Sequence, residues 1–125
     1  MKLFLDDIRD PISKYHGDVV IARNNDEAKE LVELHGFPEE IFFDHDLGFH
    51  PAGDAPVFMS FLINRLLDIP EELAIETIKN TKIEIHSSNP PGAKNLYDRW
   101  LGVCLHFDIG TPQCKIVPFS SIKVE

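Results

Sequence analysis

A chain of 125 residues, 43% of them apolar, is long enough to bury a core and short enough to be read as one domain over residues 1–125. Its formal net charge of −9 argues against tight, non-specific binding of long nucleic acid, which needs Lys and Arg to neutralise phosphates. No apolar run approaches the roughly 20 residues that cross a bilayer, and the amino-terminal stretch lacks the apolar core of a signal peptide, so no membrane partner and a cytoplasmic location are expected.

Taken in chain order, residues 2–5 read as a first strand, broken at Asp10-Pro11 and followed by a polar loop over 12–17. Residues 18–22 read as a second strand. Asn24 and Glu27 then form a capping pair, each satisfying the other's orphan backbone donor. Ala28, Leu31, Val32 and His35 follow at helical spacing, and Gly36-Phe37-Pro38 ends that helix. Ile41–Asp44 reads as a third strand and 48–55 as a loop. Asp54 and Pro56 mark a helix start, with Val57, Phe58, Phe61, Leu62 and Leu66 as its apolar stripe.

Pro70-Glu71-Glu72 restarts a short helix through Leu73, Ala74 and Ile75. Lys82–Ile85 reads as a fourth strand. A long helix after Asn89-Pro90-Pro91-Gly92 accommodates Leu96, Trp100, Val103 and Cys104. Ile116–Phe119 reads as a final edge strand, because Pro118 cannot donate to a central ladder. The two cysteines, Cys104 and Cys114, have no zinc-type spacing and are expected to be reduced thiols.

Strands alternating with helices imply an α/β fold with a parallel sheet. The expected architecture is a three-layer, doubly wound, five-stranded sheet of order 2-1-3-4-5, a common order for such folds, with the helix between strands 1 and 2 reduced or absent. That order makes strands 1, 3 and 4 neighbours about 4.8 Å apart. Their carboxyl ends lead into three polar clusters: Asp6-Asp7-Ile8-Arg9, Asp44-His45-Asp46-Leu47-Gly48, and His86-Ser87-Ser88-Asn89-Pro90-Pro91-Gly92. In open α/β sheets ligands bind at this edge, so the clusters are expected to form one site.

Asp6, Asp7, Asp44 and Asp46 would crowd carboxylates that repel one another unless a cation intervenes. Oxygen ligands suit Mg²⁺ or Mn²⁺. Capping of turns and helices is the ordinary alternative for such Asp residues, and it applies to at least one of them because alternate strand residues face opposite ways. His45, flanked by two acids, and His86 suit general acid and base roles near neutral pH. The hydroxyls and backbone donors around Ser87, Asn89 and Gly92 suit an anion at a helix start, and Arg9 suits a bidentate phosphate contact. Plain capping by Ser87 and Asn89, and pairing of Arg9 with nearby acids, are the alternatives.

The ordered set Leu5–Arg9, Asp44–Gly48 and His86–Gly92 resembles the motifs of the cyclic-phosphate-processing receiver-like domains, a family related in fold to response-regulator receivers. The family pattern is Leu-Asp-Asp-x-Arg after strand 1, Asp-His-Asp-Leu-Gly after strand 3, and His-Ser-x-Asn-Pro-x-Gly after strand 4. The resemblance covers nearly the whole chain. It implies a flavodoxin-like fold and a role proposed for the family in processing cyclic phosphate ends, in RNA repair and in phage or bacterial settings.

Likeness to a signalling receiver is partial. Asp44 falls at the phospho-accepting position, Asp6 and Asp7 at the acidic metal-ligand positions, and Ser87 at the Ser/Thr position. Receivers, however, place a Lys after strand 5, where this chain has Pro118-Phe119-Ser120 and has Lys115 ahead of the expected strand. His45 and His86 are chemistry that phosphotransfer to Asp does not need.

The leading expectation is therefore a metal-dependent phosphoesterase for a small phosphate-containing substrate or an RNA end. In it Asp6, Asp7, Asp44 and Asp46 hold the cation and His45 and His86 act with Asp44 in catalysis. Arg9, Ser87, Asn89 and Gly92 bind phosphate. A phospho-accepting receiver and a non-enzymatic binding module for a nucleotide or partner protein are the alternatives.

Overall fold

The computed structural model describes residues 1–5, 19–44, 54–87, 90–110 and 112–118, with the side chains of Asp44, Asp54, Ser87 and Pro118 outside that description. Five parallel strands lie in the order β2-β1-β3-β4-β5: β1 Lys2–Leu5, β2 Val19–Ala22, β3 Glu40–Asp44, β4 Lys82–Ser87 and β5 Cys114–Pro118. Four helices connect them: α1 Asn25–His35, α2 Asp54–Leu67, α3 Glu71–Lys79 and α4 Pro90–His106. This is the expected receiver-like α/β sheet, all parallel and of order 2-1-3-4-5, and the four described helices pack on one of its faces. The segment in which a helix between β1 and β2 is expected to be reduced or absent, 6–18, lies outside the described residues.

Handedness explains where the helices go. The connections β2→β3, β3→β4 and β4→β5 all step across the sheet in the same direction, and right-handed crossovers put all three on one face. The core agrees. Leu3, Leu5, Ile41, Phe43, Ile83 and Ile85 join buried residues of all four helices in one cluster. Among the described residues no helix contributes to the opposite face, where Phe4 and Phe42 form a small separate cluster with Val19 against it. Period-two alternation along the strands sorts the two sets. Truncating Phe43, at 1% exposure, would leave a cavity in the larger cluster.

Local chemistry sets the helix ends. Asn24 caps α1 by accepting the Glu27 N–H at 2.9 Å, while Glu27 accepts from the Arg23 N–H at 2.7 Å. The reciprocal bond thus falls one residue earlier than a capping box would put it. Gly36, at φ 89°, closes α1 in a backbone region that costs glycine little. Its N–H reaches the Val32 carbonyl at 2.8 Å. α4 begins with Pro90 and Pro91, whose missing donors are orphans in a first turn anyway.

Helix faces differ in part from the apolar stripes. On α2 the buried set is Ala55, Phe58, Met59, Leu62 and Leu66. Phe61 is only half-buried, with the Lys29 and Arg65 cations each 5.6 Å from its ring centre. α3 runs on to Lys79 and buries Ala74 and Ile78, leaving Leu73 exposed. Arg99 on α4 binds α2 through the Pro56 carbonyl at 3.0 Å and the Ser60 hydroxyl.

Candidate functional site at the carboxyl edge

The register places the ends of β1, β3 and β4 side by side. Leu5 aligns with Phe43, Phe43 with Ile85, and Asp44 with His86. β1 ends at Leu5, one register step short of Asp44, and the Asp6-Asp7 pair follows Leu5 in sequence. β4 runs two residues beyond the expected strand, so His86 and Ser87 belong to the ladder itself, aligned with Val117 and Pro118. Two residues separate β4 from α4, and Gly92 sits half-buried in the first turn of that helix.

Of the expected site residues, Asp44, His86, Ser87 and Gly92 therefore fall at this edge. Asp6, Asp7, Arg9, His45, Asp46 and Asn89 lie outside the described residues. No three His, Cys, Asp or Glu side chains gather into a metal-binding group among the described residues, which leaves out most of the carboxylates in question.

The His86 side chain is held on the face opposite the larger core. Alternation along β4 turns Ile83 and Ile85 into the larger core and leaves Glu84 and His86 on the other face. The His86 ring is 2% exposed, edge-on to Phe4 at 6.4 Å between centres and tilted against Phe42 at 6.2 Å. Its Nε2 lies 2.8 Å from Glu84 Oε1. The other carboxylate oxygen of Glu84 is 3.6 Å from Lys115 Nζ, and the two residues are register partners.

Glu84 was not among the residues expected at the site. Its signal was nevertheless in the sequence, since two residues apart on a strand means the same face. Lys115 likewise lies within β5, which starts at Cys114 rather than Ile116. It aligns with Glu84, two residues back along β4 from His86. A depression of about 470 Å³ on this face is lined by Glu40, Phe42, Lys82, Glu84, Gln113 and Lys115. It covers the amino-terminal half of the strands and not their carboxyl ends, so the strand-end register, and not that depression, marks the candidate site.

With this geometry in place, comparison with known proteins adds one finding. The family model described as "Cyclic-phosphate processing Receiver domain" matches residues 1–101, a span that runs from β1 into α4 and includes all three polar clusters. No curated protein matches the chain, and no solved structure does.

Proposed function

The chain belongs to the family of cyclic-phosphate processing receiver domains, and from that premise we propose that it is a metal-dependent phosphoesterase acting on a cyclic phosphate or small phosphodiester. The substrate class is the 2′,3′-cyclic phosphate of an RNA end, as in RNA repair. One observation carries this reading: the shared register of β1, β3 and β4, with Asp44 beside His86. It brings the strands that lead into all three motifs to a single edge, where open α/β sheets bind ligands.

The donor set fits a hard cation. Asp6, Asp7, Asp44 and Asp46 offer carboxylate oxygens alone, the ligands that Mg²⁺ and Mn²⁺ favour, and Asp44 ends the central strand of the sheet. When bound, the cation would draw off charge that builds on a phosphoryl oxygen. Arg9, Ser87, Asn89 and the Gly92 backbone would hold the phosphate. His45 and His86 would divide the proton transfers. One takes a proton from the attacking water as the new P–O bond forms, and the other returns a proton to the ribose oxygen as the old P–O bond breaks. Water is the only co-reactant, and a phosphate monoester with a free hydroxyl is the product.

Hydrolysis of cyclic-phosphate RNA ends and mononucleotides, with Mg²⁺ or Mn²⁺ supplied, tests the proposal. Turnover that a His45→Ala, His86→Ala double variant loses is the expected result. No turnover across a broad panel, or undiminished turnover in the double variant, overturns it. The position of Asp44 at the end of β3 also suits a phospho-accepting receiver. In that case a small phosphodonor with Mg²⁺ labels Asp44, Asp44→Asn abolishes the label, and no phosphodiester is consumed.

A further inference from the structure

Glu84 and His86 share one face of β4, opposite Ile83 and Ile85 in the larger core. Their side chains meet at 2.8 Å through His86 Nε2 and Glu84 Oε1. A carboxylate oxygen only accepts, so in the neutral ring Nε2 is the donor and Nδ1 carries the lone pair. The ring has little room to turn away, because it is 2% exposed and lies against Phe4 and Phe42. Glu84 is held in turn from β5, where Lys115 Nζ approaches its second oxygen at 3.6 Å. Lys115 is well exposed, so that outer contact is the weaker link.

We propose that Glu84 is the positioning residue of His86, accepting its Nε2–H and so fixing the ring in one orientation and one tautomer, with Nδ1 as the nitrogen that exchanges protons. A hydrogen bond to one ring nitrogen commonly decides what the other can do. The consequence for turnover rests on the phosphoesterase reading above, whereas the tautomer does not. Glu84 lies one full strand repeat back from the edge, and its role is to act through His86 without touching substrate.

The test is ¹⁵N NMR of the histidine rings in metal-free full-length protein, at a pH where the ring is neutral. His86 is assigned by its loss in His86→Gln. The wild-type protein should show a protonated Nε2 and a bare Nδ1, and Glu84→Ala should show averaged shifts from two interconverting tautomers. An averaged or Nδ1–H ring in wild type, or an unchanged ring in Glu84→Ala, overturns the proposal. The wild-type arm decides the tautomer even if Glu84→Ala does not fold, and Glu84→Leu supplies a second variant that keeps apolar bulk beside Phe42.

In the hydrolysis assay Glu84→Ala should lose roughly 10- to 100-fold in kcat with KM little changed. A fixed Nε2–H tautomer in a protein that turns over no phosphodiester supports the positioning role and rejects the phosphoesterase. Turnover with an averaged wild-type tautomer does the reverse.

Discussion

Cys114 shows at the level of a single residue how burial decides chemistry. Burial pushes its thiol from an ordinary 9.0 up to about 12, and neighbouring Cys104 adds to the rise. Cys104, buried in α4, is also raised by burial. Both are then thiols near neutrality, and the thiolate is the reactive form. Alkylation of Cys114 at pH 8 should be roughly a hundredfold or more slower in the native protein than in urea. Equal rates would contradict the burial. Linkage gives a second expectation with a definite sign. The unfolded chain releases the Cys114 proton near 9.0 and the folded chain only near 12, so this group makes stability fall as pH rises across that window. At the same scale His86 is legible because it follows an apolar run, whereas Glu84 sits inside one, between Ile83 and Ile85. The face it shares with His86 follows from the period of two, whereas the bond depends on how the two side chains are turned on that face.

Elements were legible to the extent that their ends are made by local chemistry. α1 is the clearest case, since Asn24 caps it and Gly36 closes it as their residue types suggest. Asn24→Ala removes the acceptor for the Glu27 N–H and should cost about 1 kcal/mol. Urea unfolding reads this as a lower midpoint at unchanged slope, and an unchanged midpoint would mean the cap contributes nothing. Where ends are set by pairing, the sequence was less informative. β4 carries on through His86 and Ser87 because Val117 and Pro118 lie opposite, and β5 starts at Cys114 because Ile83 is its partner. Neither strand partner is visible in local composition. The sequence predicts a short helix through Leu73, Ala74 and Ile75, yet α3 extends to Lys79 and buries Ala74 and Ile78. A four-residue spacing with a small residue as one anchor is a faint periodic signal, and the larger Leu73 faces solvent.

For the molecule as a whole, the strand order 2-1-3-4-5 was recoverable because parallel strands read as short apolar runs and right-handed crossovers leave few ways to connect them. The same order brings the strands that lead into three distant motifs to one edge. The described helices include none long and apolar enough to cross a membrane. The two ends of the strands differ sharply. Lys2, Glu40 and Lys82 align at one end, with Lys2 paired to Glu40 at 3.3 Å, while Asp44 and His86 align at the other, about 13 Å away at strand rise. The central claim is that a divalent cation binds at the second end. Paramagnetic broadening by substoichiometric Mn²⁺, read residue by residue in amide NMR spectra, tests it most directly. The backbone signals of Asp44, His86 and Ser87 should broaden first, recover on adding excess Mg²⁺, and stay sharp in Asp44→Asn. Broadening centred on Lys2, Glu40 and Lys82, or spread evenly over the acidic surface and indifferent to Asp44→Asn, would contradict the claim.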